Sequence, residues 1–508
     1  MSDPLVIGLD VGTSGARAVL YTLAGEQIAE SHHNYPLETP RPGMAEQDPD
    51  KVWAAVARAV AAVAKSIPSG QSVAGIGVST IFHTLLAVDG DGTPLTRSIT
   101  WADTRARRQV EKLKKDVDAT SFYQRTGCPL HPMYLPGKIR WLREEAPDQF
   151  ARVASFGSIK DELLARMTGR RVSDRSVASA SGLYNLKEGQ WDRTILDAVG
   201  ISPEKLPEVV EPTDTVGDLT KDTAAAFGLP QGTPVIAGAG DGVLSSLGSG
   251  AIAPGQMTVM IGTSGATRLA TEQPVLDRQG RTWCYYLAQG RWITGAAINN
   301  GGLACHWVRD NLLPKPASSA GEFDFATLEA EAEQAKVGSG GVLFLPFLTG
   351  ERSPYWNASA RGVIFGLAAH LGPPHVARSV FEGVSFRMRS IVEALDETAG
   401  PTHEYRATGG FTRSAFWLQM LCDVIGKELV LPTVEEASAL GAAGLAMIGL
   451  GAMKGLDDVA RLVAVKPGPT PNADNHALYD RIYQLYLDVY WANQKSFAAI
   501  AALQDELG

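Results

Sequence analysis

The chain opens on short apolar runs broken by glycine turns. LVIGLD (5–10) is nearly all apolar, VGTSG follows as a turn, and ARAVLYT (16–22) alternates loosely. A second turn falls at Ala24-Gly25, and EQIAES (26–31) returns to extended character. That pattern predicts three strands in an antiparallel meander. From Asp48 the rhythm changes: DPDKVWAAVARAVAAVAK places apolar residues at helical spacing, with Asp48 as N-cap and Pro49 at the first helical position, which predicts a helix. VAGIGVS (73–79) and HTLLAVDGDGTPL (83–95) read as strands, the second bending at Asp89-Gly90-Asp91-Gly92. Helix and strand patterns then alternate, through KIRWLREE and SIKDELLARMTG, as far as TPVIAGAGDG (233–242).

SSLGSGAIAPGQ (245–256) is rich in Gly, Ser and Ala, and places a boundary between a domain 1–250 and a domain 251–508. The second domain restarts with MTVMIGTSGATRLA (257–270). Later YRATGGFTRSAFWLQMLCDVIG (405–426) predicts a strand, a Gly-Gly turn and a helix. ASALGAAGLAMIGLGAM (437–453) is uncharged but dominated by Ala and Gly, so it reads as a helix packed closely on a sheet, not a bilayer span. NHALYDRIYQLYLDVYWANQKSFAAIAALQDEL (475–507) predicts a long amphipathic helix across the C-terminal domain. A mixed sheet flanked by helices is the expected core of each domain.

Composition sharpens this picture. With 508 residues, 45% hydrophobic and 20% charged, the chain is an ordinary globular one with two large domains. A net charge of −9 without a basic run argues against nucleic acid or an anionic membrane as partner. Four scattered cysteines without C-x-x-C spacing speak against a zinc site and a disulfide framework, so the reducing cytoplasm is the expected compartment. MSDPLVIGLD has no basic stretch before its apolar run, so no secretory leader is expected.

The candidate chemistry begins with a repeat. Gly12-Thr13-Ser14-Gly15-Ala16 recurs as Gly262-Thr263-Ser264-Gly265-Ala266, each after an apolar run, with Asp10 of the first copy falling on Met260 of the second. Such a turn offers backbone N–H groups and two hydroxyls to a phosphate, and two of them on facing domains could grip one polyphosphate. A tight turn between strands uses the same residues. Asp10 beside a phosphate turn makes sense if Mg²⁺ lies between them, or it caps its own turn. Arg17 would add positive charge near the transferring group, or face solvent. Asp241 stands among Gly238, Gly240 and Gly242 at a strand end, where a carboxylate can act as general base toward an acceptor hydroxyl; a helix N-cap would look the same. Gly409 and Gly410 let the backbone approach a ring or phosphate closely, or simply make a tight turn.

Together, GLDVGTSGARAVL, GDG, IGTSG, RGVIFGLAAHLGPPHVARSVFEG and ATGGFTRSAFWLQMLCDV resemble the FGGY family of carbohydrate kinases over about the whole chain. Gly362, Ile364, Gly366, Leu367, His375, Val376, Ser379, Val380, Phe381 and Glu382 fit its C-terminal pattern. MYLPGKIRWLREE keeps Lys138 and Trp141 but has Leu135 where the family prefers Pro, Ser or Thr. The resemblance implies an α/β protein of two ribonuclease-H-like (actin-like ATPase) domains facing each other across a catalytic cleft, using ATP and Mg²⁺. It implies Asp10 at the metal, Thr13 and Ser14 at phosphates, Asp241 as base, Gly262 and Thr263 on the other side of the triphosphate, and Gly302, Gly409, Gly410 and Ser414 around the adenosine.

The H-x-L-x-A-V-D and S-I-T-W-A-D-x-R stretches, with HPM at His131, SVASASGLYNLK at Ser176, NNGG at Asn299 and GERSPYWN at Gly350, resemble the gluconokinase branch. The Q-M-H-G loop frequent in xylulokinases is missing around His83. His83 is the first candidate for substrate contact, though a lone histidine in an apolar strand also suits a satisfied core position. Trp101 would wall the carbon skeleton or belong to the core, and Asp103 would accept from hydroxyls. Arg105 and Lys160 are the cations nominated for a gluconate carboxylate. The expected reaction is phosphorylation of an open-chain sugar or sugar acid, D-gluconate to 6-phosphogluconate, with D-xylulose phosphorylation as the near alternative. An actin-like ATPase or nucleotide-gated binding protein is the alternative of another class. Expected partners are the small-molecule acceptor and MgATP, and a homodimer is compatible with the sequence.

Overall fold

The computed structural model describes residues 4–313 and 325–507, so the first three residues of MSDPLVIGLD lie outside it. The first sheet has six strands in the order Thr215–Asp218, Pro234–Gly240, Val73–Thr80, Leu5–Val11, Gly15–Thr22, Gln27–Asn34. Its leading strand Leu5–Val11 runs antiparallel to Gly15–Thr22 and parallel to Val73–Thr80, which is parallel to Pro234–Gly240. The second sheet has seven strands in the order Trp283–Ala288, Arg291–Ile298, Gly265–Thr271, Gln256–Ile261, Glu404–Thr408, Leu429–Pro432, Val465–Pro467. Gln256–Ile261 is again antiparallel to the strand after it and parallel to Glu404–Thr408, which is parallel to Leu429–Pro432. The two G-T-S-G turns thus close the same hairpin of the same topology, with Gly12 N donating to Gly15 O and Gly262 N to Ser264 O, both at 2.8 Å.

Leu5–Val11 is apolar except for Asp10 near its carboxyl end, because both faces of the sheet are covered. Leu5, Ile7, Leu9 and Val11 share a core with Val52, Ala55, Val56 and Ala59 of the helix Pro49–Ala64, whose Asp48 side chain accepts from Asp50 N. Val6 faces the other way, onto Ala439, Ala443 and Met447. Those three belong to Ala437–Gly449, a helix from the second half of the chain that lies on the first sheet. Its Ala and Gly content has a direct cause: a Cβ on Gly8 would collide with the Ala439 carbonyl, and one on Gly77 with that of Ala442. The helix Asp241–Gly248 packs against it, since a Cβ on Gly441 would collide with the Leu244 carbonyl. The two halves interlock at this helix pair, directly behind the residues considered below.

The long helix Ala473–Leu507 seats Tyr479, Tyr483, Tyr486, Tyr490 and Phe497 in the core of the second sheet. HTLLAVDGDGTPL departs from its expected single strand: only Leu86–Val88 is extended. His83 sits at φ 60°, breaking the run, and the Thr84 hydroxyl is taken by Ile159 N at 3.0 Å. Among the described residues no helix is long and apolar enough to cross a membrane.

Candidate active site

Three parallel strands of the first sheet end side by side, and their carboxyl ends bring Asp10, Ser79 and Asp241 together, the edge where ligands bind in open α/β sheets. Ser79 Oγ donates to Asp10 Oδ1 at 2.6 Å. Burial pushes the Asp10 carboxyl up, while the Ser79 hydrogen bond and the Arg17 charge pull the other way. Asp241 is the first residue of its helix and Gly240 is the cap, so the side chain is not an N-cap; among the described residues it accepts only from its neighbour Gly242 N, at 2.6 Å. Burial, then the charge of Asp10, pushes Asp241 up to about 7. That is the range a general base needs near neutral pH.

Opposite stands Arg268, on Gly265–Thr271 of the second sheet. It is 8% exposed, and its Nε and Nη1 have no hydrogen-bond partner among the described residues. Gly242 leaves room for it: a Cβ there would lie 3.2 Å from Arg268 Nε. Burial pulls the guanidinium down to about 10, with Asp241 opposing. Asp10, Asp241 and Arg268 border a cleft of about 620 Å³ whose other walls include Gly409, Gly410 and Glu436, within the size range of small-molecule sites.

The strands leading into the two turns reach this cleft through Asp10 and Met260, while the turn residues themselves are not among those lining it. Thr13 Oγ1 accepts from Trp101 Nε1 at 3.0 Å, the Thr13 carbonyl accepts from Gln47 Nε2 at 2.8 Å, and Ser14 is exposed. Arg17 forms an ion pair with Glu436. In the second copy Gly302 N donates to Gly262 O at 2.7 Å and Gly301 N to Thr263 O at 3.0 Å, so Gly262, Thr263 and Gly302 form one unit at the start of the helix Gly302–Asn311. Gly409, at φ 93°, packs against the Ile261 carbonyl and borders the cleft with Gly410. Ser414 caps the helix Ala415–Ile425, its hydroxyl accepting from Trp417 N at 2.9 Å, and like Gly302 it is not among the residues lining the cleft.

On the acceptor side the structure separates the candidates. His83 is buried among Phe82, Tyr134 and Tyr285, with Nδ1 2.8 Å from Ala180 O and Nε2 3.5 Å from the Tyr285 hydroxyl. Burial holds its ring well below the usual histidine range. Buried Lys138 clamps the two loops together, donating to His83 O at 2.6 Å and Thr100 O at 2.8 Å. Trp101 lies between Thr13 and Arg352, whose Cζ stands 5.2 Å from its ring centre. Three nominations change. Asp103 is 1% exposed and accepts from Arg105 and, at 2.7 Å, from Ala45 N, so it anchors a loop and is not open to substrate hydroxyls. Arg105 is held by Asp103 and Glu46, and Lys160 is fully buried 2.8 Å from Asp174, so neither is available to a carboxylate. Arg268, Arg352, Tyr134, Tyr285 and Trp356, to which the sequence assigned no role, stand in the same region; Arg352 and Trp356 lie within GERSPYWN and Tyr134 within MYLPGKIRWLREE, and Arg268 is the one charge in the apolar strand GATRLAT.

Comparison with known proteins agrees with this architecture. Residues 5–248 match the N-terminal domain of the FGGY family of carbohydrate kinases, and residues 257–450 match its C-terminal domain. The chain is 34% identical to a gluconokinase of Bacillus subtilis, over 98% of each chain. It superposes on a gluconate kinase from Lactobacillus acidophilus with a TM-score of 0.91 at 32% identity, covering 98% of this chain and 100% of that one. A xylulose kinase from the same organism gives a TM-score of 0.91 at 31% identity, with the same coverage.

Proposed function

The chain belongs to the FGGY family of carbohydrate kinases and is an ATP-dependent sugar kinase, and from that premise we propose that its acceptor is D-gluconate, converted to 6-phosphogluconate. The observation that carries gluconate is the likeness to a gluconokinase along essentially the whole length of both chains. D-Xylulose is the second reading, favoured by the equally close superposition on a xylulose kinase.

In the reaction Asp241 takes the proton from the acceptor hydroxyl as its oxygen attacks the γ-phosphorus. A carboxyl that burial pushes up toward neutrality can take the proton and return it afterwards. Arg268, buried and without an internal hydrogen-bond partner at its Nε and Nη1, faces the charge that develops on the transferring group, where a preorganised cation is most effective. The first turn, with Thr13, Ser14 and Arg17, and the second, with Gly262 and Thr263, hold the triphosphate from two sides, and Gly302, Gly409 and Gly410 border the adenosine. His83 and Trp101 frame the acceptor. Approach of residues 1–250 and 251–508 around both substrates excludes water and limits hydrolysis.

The donor set suits Mg²⁺. Asp10 has one oxygen on Ser79 and lies beside the cleft, and its charge pushes Asp241 up, a repulsion a cation between them would relieve. Mg²⁺ favours one or two carboxylates completed by phosphate oxygens and water, so Asp10 would hold it with Asp241 nearby. Once bound, the ion neutralises charge on the phosphate oxygens.

Initial rates of ADP release at fixed MgATP on gluconate, xylulose, ribulose and glycerol test the acceptor. Gluconate should give the highest kcat/KM; xylulose in first place would replace it.

A further inference from the structure

Beside His83 three buried nitrogen atoms have no hydrogen-bond partner among the described residues: His131 Nε2, Arg352 Nε and Trp356 Nε1. Each is a donor. Met133 N donates to His131 Nδ1 at 3.2 Å, so the ring, kept neutral by burial and by the Arg352 charge, carries its proton on Nε2. Arg and Trp side chains have no acceptor to offer. Orphaned buried donors are rare because each forfeits its hydration without replacement, so such a set calls for a missing acceptor.

The three come from both halves of the chain. Arg352 and Trp356 sit on one tight turn, closed by Trp356 N donating to Arg352 O at 2.6 Å and Glu351 N to Asn357 O at 2.9 Å. Arg387, fully buried, fixes the turn by donating to Ser353 O at 2.7 Å and to Glu351 Oε2 at 3.3 Å. The remaining Glu351 oxygen accepts from the backbone N–H of Asn299 and Arg352, so Glu351 supports the guanidinium charge through space while its own oxygens are taken by other donors. Trp356 is held at φ 48°, a left-handed conformation that a bulky residue adopts only when its surroundings demand it. The strain aims its indole at the first half, edge-on to His131 with ring centres 5.5 Å apart and 6.4 Å from Tyr134. Arg352 lies over Trp101 with Nη2 on Ile298 O at 2.8 Å, which leaves Nε for something else.

We propose that His131, Arg352 and Trp356 form the subsite that takes the carboxylate of a sugar acid, and that this turn sets the preference for an aldonate over a neutral sugar. Three donors, one permanently charged, and no acceptor match a group that can only accept. A polyol hydroxyl would bring a proton that finds no acceptor among them. Gluconate carries its carboxylate and its 6-hydroxyl at opposite ends, and the Arg352 charge reaches Asp241 without a hydrogen bond between them, so the subsite and the base share one region that a single acceptor spans. The inference rests on the gluconate reading and deepens it.

The test compares gluconate with gluconamide, the same chain with a neutral end. Arg352→Gln should raise KM for gluconate by about 10- to 100-fold, the cost of losing a hydrogen bond to a charged group, and KM for gluconamide far less. Trp356→Phe keeps a ring against His131 but removes one N–H, and should raise KM for gluconate by roughly 5- to 10-fold. An ATP-dependent rise in Tm in both variants shows that they fold. Unchanged KM for gluconate, or equal losses on both acceptors, would overturn the subsite while leaving gluconate as acceptor. A wild-type protein that phosphorylates xylulose but not gluconate would overturn the acceptor reading, and the subsite with it.

Discussion

Arg268→Gln separates two things a buried cation can do beside a general base. In the native site Asp241 is pushed up to about 7 by burial and by Asp10, and Arg268 is the first force opposing that rise. An opposite charge at close range lowers a carboxyl pKa by about 1–3 units, so its removal should carry Asp241 to roughly 8.5. At pH 7 the ionised fraction then falls from half to about 3%, a loss of roughly 15-fold in kcat/KM from this cause alone. At pH 9 the same shift costs less than about twofold. Any contribution of Arg268 to the transferring phosphoryl group reduces the rate at both pH values alike. With Mg²⁺ beside Asp10, part of the push on Asp241 is removed in both proteins and both acid limbs lie lower, so the reading is the distance between the limbs: kcat/KM for the acceptor at saturating MgATP from pH 5 to 9.5, for wild type and variant. A variant limb displaced upward from that of wild type by about 1–3 units, with the deficit largest below the limb and fading above it, is the expected result. A variant whose limb coincides with that of wild type, whatever its absolute rate, would refute the coupling of Arg268 to Asp241.

Asp241→Asn should bind ATP yet lose turnover by orders of magnitude, and near-normal turnover would rule out its role as base. The same variant should be the more stable protein at pH 8: a carboxyl raised in the folded state favours folding below its unfolded value near 4, and that advantage is lost as pH rises through about 7, so the Tm difference should shrink on acidification. Asp10→Ala should shift the Mg²⁺ titration of activity to higher concentration, and an unchanged midpoint would count against metal binding there. Gly8→Ala drives a methyl group into the Ala439 carbonyl and should cost about 1–3 kcal/mol or more, read by urea denaturation; a neutral outcome would show that the helix Ala437–Gly449 yields easily.

Elements whose cause is local were legible from the chain. Pro49 and Asp48 mark their helix because fixed φ and a capping oxygen act within one turn. The meander of the first sheet follows from runs between glycines, and the Ala-Gly stretch from 437 advertised close packing because only small residues allow backbones that near. The repeated G-T-S-G could be matched in register because both copies close the same hairpin. What the chain concealed depends on distant partners. Asp103, Arg105 and Lys160 looked available; Asp103 and Arg105 are instead tied to each other two positions apart and Arg105 also to the distant Glu46, while Lys160 is tied to Asp174. His83 looked extended because its neighbours are apolar, while the left-handed backbone is set by packing among Phe82, Tyr134 and Tyr285. Arg268, Arg352 and Trp356 went unassigned since they are delivered by the second half to residues of the first.

The most direct test of the whole account is a crystal structure of Asp241→Asn with gluconate, Mg²⁺ and a non-hydrolysable ATP analogue. The triphosphate should lie between Gly12–Gly15 and Gly262–Gly265, with the 6-hydroxyl of gluconate about 2.6–3.2 Å from the side chain at 241 and in line with the γ-phosphorus. A triphosphate held by one turn alone, or a 6-hydroxyl beyond reach of position 241, would contradict it.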